Sequence, residues 1–136
     1  VDDDYTVCKK LNDKFPNTIL APKFESAIEA KNYISSMDLF SGARMHATIA
    51  ATSSGVPVIP VAYSRKFNGL YDTLGYKYYI DAKSDITLED ALIKFDEYVN
   101  DSEKLKISLN NARNVYMENL LIYKKTLIDV MNLKNE

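Results

Sequence analysis

Residues 56–62 read Val-Pro-Val-Ile-Pro-Val-Ala, apolar at every position. A strand with one wet face alternates apolar and polar residues. A continuous apolar run instead marks a strand buried on both faces, the habit of parallel sheets. Parallel neighbours need long crossovers, usually helices, and the flanking sequence supplies them. Glu25 to Met37 sets Ala27, Ile28, Ala30, Tyr33, Ile34 and Met37 along one side of a helix. Arg44 to Ser53 reads as a helix with small residues, Ala47, Ala50 and Ala51, suited to close packing on a sheet. Gly55 stands where its C-terminal cap belongs, with Pro57 two residues on. Lys66 to Leu74 is a short helix ended by Gly75. Thr87 is an N-cap, with Asp90 at the capping-box position, for a helix carrying Leu88, Ala91, Leu92, Phe95, Tyr98 and Val99.

Three further short apolar runs, Thr18–Pro22, Asp38–Gly42 and Tyr76–Ile80, read as strands. The expected fold is therefore α/β and Rossmann-like: a three-layer parallel sheet of about four strands, centred on Leu20, Phe40, Ile59 and Tyr79. Helices should cover both faces through right-handed crossovers. At one end, Asp2 to Phe15 places Tyr5, Cys8, Leu11 and Phe15 at helical spacing. At the other, Leu105, Leu109, Ala112, Tyr116, Leu120, Tyr123, Leu127 and Val130 recur in steps of three and four. A straight helix from Glu103 to Lys134 would run about 48 Å, longer than a domain of this size is wide. It should bend, break, or rest on something outside this chain. Val-Asp-Asp-Asp at the start is neither a methionine nor a signal peptide. The expectation is a single Rossmann-like domain over residues 1–136, cut from a longer protein.

Composition excludes several function classes. With 17 basic and 19 acidic side chains, the net charge of -2 lacks the basic excess that holds a nucleic-acid backbone. One cysteine, Cys8, cannot form an internal disulfide, which favours a reducing compartment. One cysteine and one histidine make a structural zinc site untenable, and no metal is expected. No apolar run approaches the ~20 residues of a membrane span. The expected location is the cytoplasm, including the inner face of the membrane.

In parallel sheets, ligands bind outside the carboxyl ends of the strands, near helix N-termini. One such junction is Ser41-Gly42-Ala43-Arg44-Met45-His46, which holds the only histidine. Gly42 allows close backbone approach. The following helix offers free N–H groups to a phosphate or carboxylate. Arg44 adds a planar fork of donors matched to such an anion, and His46 suits proton transfer near neutral pH. The competing reading makes His46 a hydrogen-bonded, partly buried core residue and Arg44 a surface ion-pair partner.

A second junction, Tyr63-Ser64-Arg65-Lys66, follows residues 56–62. It brings two cations and two hydroxyls to the carboxyl end of a buried strand, unless it is merely a solvated basic turn. The P-loop and Rossmann glycine fingerprints are absent. Ser53-Ser54-Gly55 lacks the pattern of a nucleophile elbow and reads as a helix cap. Asp2-Asp3-Asp4 reads as a solvated, dipole-compensating helix start rather than a metal site.

From Asp38 onward the residues "DLFSGARMHATIAATSSGVPVIPVAYSRKFNGL" resemble the C-terminal half of the polysaccharide pyruvyl transferase family. The likeness lies in the order of parts: a short strand, Gly-x-Arg-Met-His, an alanine-rich helix, Gly-Val-Pro with an apolar strand, and Tyr-Ser-x-Lys. It extends over about residues 18–100. The resemblance implies a two-domain architecture like that of the glycosyltransferase-B enzymes, with this chain as the C-terminal half and an N-terminal domain missing. It implies transfer of the pyruvyl group of phosphoenolpyruvate onto two hydroxyls of a sugar or lipid-linked glycan, forming a ketal, with no cofactor. Carried onto this sequence, Arg44 would bind the donor's carboxylate or phosphate, Met45 would add a contact, and His46 would be the general acid or base. Tyr63, Ser64 and Lys66 match the later signature as candidate donor-pocket residues, beside Gly42.

Two other functions compete. One is a nucleotide-sugar transferase of the same architecture, disfavoured because no acidic residue to grip a ribose follows residues 56–62. The other is a non-catalytic anion-binding module.

Overall fold

The computed structural model describes residues 3–132. The elements run α1 (Asp4–Lys14), α2 (Ala27–Ser35), β1 (Phe40–Gly42), α3 (Met45–Ser54), β2 (Val58–Ala62), α4 (Arg65–Thr73), β3 (Ile80–Asp81), α5 (Leu88–Asn100) and α6 (Ser102–Asn132). The expected helix start at Asp2 and the far end at Lys134 lie outside the described residues. The chain divides into two compact units, Val1–Ala30 and Lys31–Glu136.

The second unit holds the sheet. Its strands lie in the order β1-β2-β3 and both pairs are parallel. With helices around it and a long C-terminal helix, the architecture is α/β and Rossmann-like. Val58, Ile59 and Ala62 of the central strand β2 are fully buried, as a run without polar alternation requires. Ala51 of α3 is equally buried, so the small-residue face of that helix does seat closely in the core. Gly55 ends α3 in the left-handed region, φ 82 and ψ 14, and its amide donates to the carbonyls of Ala51 and Thr52. Glycine occupies that conformation without the steric cost of a Cβ.

Two expected strands are corrected. Thr18–Pro22 forms none, so the described sheet has three strands rather than four. The backbone there is engaged locally with α1. The Thr18 amide donates to the Phe15 carbonyl at 3.0 Å, and Asn12 Nδ2 donates to the Thr18 carbonyl at 2.7 Å. Pro22 has no N–H to offer a ladder. Ile19 is 92% exposed, so this apolar run is not a buried strand.

The strand expected over Tyr76–Ile80 is reduced to Ile80–Asp81, and β2 explains why. The Phe40 amide donates to the Pro57 carbonyl, so odd-numbered residues of β2 turn their backbone toward β1. Even-numbered residues turn toward β3; the Ala82 amide accordingly donates to the Ala62 carbonyl at 2.9 Å. Pro60 therefore lacks its donor on the β3 side, and pairing begins only at Val61 opposite Ile80. The Val58 carbonyl, on that same side, is taken by the Tyr76 hydroxyl. A side chain thus replaces the ladder one would draw from the apolar pattern.

The helix signals translate closely. Thr87 caps α5: its hydroxyl accepts from the Asp90 amide at 3.1 Å and donates to Asp90 Oδ2 at 2.7 Å. α6 continues unbroken for 31 residues, about 46 Å. Its first turns are core, with Leu105, Leu109 and Ala112 at 1% exposure or less. Beyond Val115 every described residue is exposed, including Leu120 at 43% and Tyr123 at 65%. The apolar stripe outruns the domain that buries its beginning. No described helix is long and apolar enough to cross a membrane.

In the first unit, Asp3 caps α1 by accepting from the Tyr5 amide at 3.3 Å. No residue of α1 is buried. A cavity of about 670 Å³ lies between α1 and the segment after it, lined by Cys8, Leu11, Phe15 and Ile19 among others.

Candidate functional site

Two strand-to-helix junctions meet on one edge of the sheet. Gly42, the last residue of β1, pairs with Pro60 of β2. Because the strands are parallel and adjacent, the starts of α3 and α4 emerge side by side at their carboxyl ends.

At the first junction Arg44 is the N-cap of α3, with φ -86 and ψ 111 and no side-chain capping bond. Its carbonyl accepts from the amides of Ala47 and Thr48, both at 3.1 Å. The amides of Met45 and His46 are thereby left outside the intrahelical ladder, and the dipole end of α3 adds to them. Arg44 and His46 are exposed, while Met45 and Gly42 are half-buried. The core reading of His46 is thus excluded by its surroundings. A Cβ on Gly42 would stand 3.2 Å from the Phe40 ring, so that close approach is to this ring.

What holds the junction is packing one turn into α3. Thr48 is fully buried, and its hydroxyl donates to the Met45 carbonyl at 2.8 Å. Thr52, below it, donates to the Thr48 carbonyl at 2.9 Å. These hydroxyls satisfy themselves on their own helix, so the inner face of α3 can lie against the apolar sheet without stranded donors.

At the second junction Ser64 is the N-cap of α4, extended at φ -143 and ψ 156, again with no side-chain capping bond. Its carbonyl accepts from the Phe67 amide at 3.0 Å, leaving the amides of Arg65 and Lys66 outside the ladder. Arg65, Lys66 and Tyr63 are exposed and Ser64 is half-buried. The Tyr63 ring lies 5.7 Å from that of Phe67, a buried residue anchoring the first turn. The contrast with α1 and α5 is chemical: their N-caps, Asp3 and Thr87, engage their own helices with side-chain oxygens, whereas Arg44 and Ser64 do not.

Arg44, Arg65 and Lys66 bring three cations to this edge, with His46 beside them in the chain. Arg44, His46, Tyr63, Arg65 and Lys66 are all exposed. The cavity of about 120 Å³ between α3, α4 and α6 is lined by Ile49, Thr52, Tyr71 and Arg113 among others, not by the junction residues. Among the described residues, no group of three His, Cys, Asp or Glu side chains is placed to hold a metal ion.

A third junction escaped the sequence reading. Asp81 closes β3 opposite Ala62. Its Oδ1 accepts from the Lys83 amide at 3.1 Å, and its Oδ2 accepts from Asn68 Nδ2 at 3.1 Å. Asn68 lies in α4, one turn past Ser64. Thirteen residues separate the pair, and neither helical nor strand spacing connects them. Only the return of the chain into β3 does.

Residues 1–65 match the family model described as Polysaccharide pyruvyl transferase. The matched stretch takes in Gly42, Arg44, Met45, His46, Tyr63 and Ser64 and stops one residue before Lys66. It supports the family read from the motif order, a family of transferases in polysaccharide biosynthesis. No curated protein matches the chain, and no solved structure matches it either.

Proposed function

We propose, from the polysaccharide pyruvyl transferase character of residues 1–65, that this chain is the donor-binding half of an enzyme moving the pyruvyl group of phosphoenolpyruvate onto a sugar. One observation supports this above the rest. Two helices without side-chain caps start side by side at the carboxyl edge of the sheet, and each start carries a cation. A donor with a carboxylate and a phosphate presents two anionic groups, and the edge offers two matching receptors.

The reaction needs three things. The methylene carbon of the enol must take a proton, giving an oxocarbenium-like centre at the carbon bearing phosphate. One sugar hydroxyl then adds there and loses its proton. Phosphate leaves, and the second hydroxyl closes the ketal as its proton departs. His46 is the group proposed to supply or accept these protons, since it sits exposed on the first turn of α3. Arg44, with the Met45 and His46 amides, is proposed to hold one anionic group of the donor. Lys66, the Ser64 hydroxyl and the start of α4 are proposed to hold the other and to stabilise departing phosphate. Tyr63 and Gly42 would shape the floor between them. The facing wall and the acceptor sugar's contacts are assigned to an N-terminal domain, and the setting to the cytoplasm or the inner face of the membrane.

The test is ketal formation and phosphate release from phosphoenolpyruvate by the full-length protein with a sugar acceptor. Arg44→Lys should retain charge but lose the planar fork, weakening donor affinity. A parallel thermal-shift panel of phosphoenolpyruvate and nucleotides separates the alternatives. Stabilisation by nucleotide sugars alone would replace pyruvyl transfer with glycosyl transfer. Stabilisation by any anion without turnover would reduce the chain to a binding module.

A further inference from the structure

The geometry points to Asn68 and Asp81 as a positioning pair that fixes the first turn of α4, and with it Ser64 and Lys66, against the carboxyl edge of the sheet. This rests on the donor-binding reading of that edge and adds to it two residues that contact no donor themselves.

Ser64 makes no capping bond, so nothing in its own side chain holds the start of α4. Besides the buried Phe67, a polar hold comes from one turn further in. Asn68 Nδ2 donates to Asp81 Oδ2 at 3.1 Å, spanning from α4 to the end of β3. Asp81 is itself pinned. Its Oδ1 accepts from the Lys83 amide at 3.1 Å, and its carbonyl accepts from the Ser84 hydroxyl at 2.6 Å. The same turn is tied to β2, because the Ala82 amide donates to the Ala62 carbonyl at 2.9 Å. Ala62 stands one residue before Tyr63. The path from Asp81 to the donor edge is therefore closed by two hydrogen bonds, one through Asn68 and one through Ala82.

The orientation of the Asn68 amide is dictated by its partner, since only the NH2 side can face a carboxylate. Its Oδ1 is then buried with no partner among the described residues. A buried, unpaired amide oxygen is unfavourable. An apolar side chain of similar volume would pack there without that orphan. Asn68 is a poor residue for packing alone and a suitable one for gripping Asp81. A carboxylate acceptor also makes this the stronger, charge-assisted kind of hydrogen bond.

The experiment measures phosphoenolpyruvate KM, acceptor KM, kcat and melting temperature for the full-length enzyme and for Asn68→Ala, Asp81→Ala, Asp81→Asn and the double alanine variant. Loss of the bond should raise the donor KM about tenfold in either single alanine variant, the scale of one hydrogen bond to a charged group. Acceptor KM should stay within about twofold, because the pair touches only the donor edge. Asp81→Asn keeps one acceptor oxygen, enough for Asn68 but not for the Lys83 amide as well, and should leave donor KM between those of wild type and Asp81→Ala. The double variant should be no worse than the single ones, as for partners in one bond. Donor KM unchanged in both single alanine variants would overturn the proposal. So would a loss confined to melting temperature and kcat, which would mark a structural bond only. If Asn68→Ala does not fold, Asp81→Ala against Asp81→Asn decides alone. Arg44→Ala and Lys66→Ala serve as the control on the underlying reading. If they too leave donor KM unchanged, the donor-site assignment fails along with the pair. If they raise it while the pair variants do not, only the positioning role is lost.

Discussion

Gly42 of β1 stands opposite Pro60 of β2 in parallel register. Arg44 follows two residues after the first and Ser64 four residues after the second, and each is the N-cap of its helix. The pairing of two backbone positions thus sets two helix starts beside one another. It gives a small sheet one cationic edge, and the Ser41 hydroxyl, donating to the Ile59 carbonyl at 2.8 Å, ties the two strands together there.

His46→Ala is expected to lower pyruvyl transfer by ~10²–10⁴-fold, the usual contribution of a positioned acid or base. His46 is exposed, so stability should change by no more than about 0.5 kcal/mol. Ketal formation and thermal melting of the two proteins check both halves. Near-equal rates would leave His46 outside the mechanism.

Tyr76→Phe should destabilise the fold by about 1–3 kcal/mol near neutral pH, because the Val58 carbonyl loses its partner inside the core. Burial, the largest cause, raises the Tyr76 hydroxyl well above its ordinary pKa of 10.0. The folded state then keeps its proton where the unfolded chain gives it up. Stability is full below pH ~10 and falls as pH rises from there toward the folded value. Urea unfolding between neutral pH and pH ~11 should show a shallower alkaline decline for Tyr76→Phe than for wild type. Parallel slopes would remove Tyr76 from the alkaline transition.

The two ends of α6 should respond oppositely to substitution. Leu109 is 1% exposed, so Leu109→Ala should cost about 2–5 kcal/mol through lost burial and a cavity. Leu120 and Leu127 are 43% and 45% exposed, and either one changed to Ser should cost no more than about 0.5 kcal/mol in this chain alone. Denaturant midpoints of the three variants measure the contrast. A large loss at Leu120 would mean that its side of the helix is covered in solution.

Gly55 and Gly75 both have positive φ, 82 and 65, yet alanine should be worse at the first. A Cβ on Gly55 would stand 2.9 Å from Arg113 Nη1, while a Cβ on Gly75 meets nothing within 4 Å. Gly75→Ala should cost about 1 kcal/mol, from the left-handed backbone alone. Gly55→Ala adds displacement of the Arg113 guanidinium to that cost. Equal melting temperatures for the two variants would show that Arg113 moves aside freely.

Local signals in the chain were sufficient for most helices. Thr87 with Asp90, Gly55 before Pro57, and the acidic start before Tyr5 each depend on hydrogen bonds or backbone angles within a few residues, and the folded chain uses all three. α5 ends at Asn100 and α6 starts at Ser102. Strands were less legible, because a strand exists only where a neighbour takes its backbone. Thr18–Pro22 has an apolar pattern and no such neighbour, and its polar groups turn back to α1 instead.

The sequence alone determined the parallel α/β class, since residues 56–62 lack the alternation a wet face requires. It also determined which residues begin α3 and α4, because strand-to-helix junctions are local in the chain. Tertiary structure decided the rest. It shortened β3, through a proline that offers no donor and a Tyr76 hydroxyl that takes the Val58 carbonyl. It joined Asn68 to Asp81, two side chains with no shared period. It divided one continuous apolar stripe on α6 into a buried start and an exposed remainder. In each case the outcome depends on which groups from distant parts of the chain come within hydrogen-bonding or packing distance, and periodicity carries no record of that.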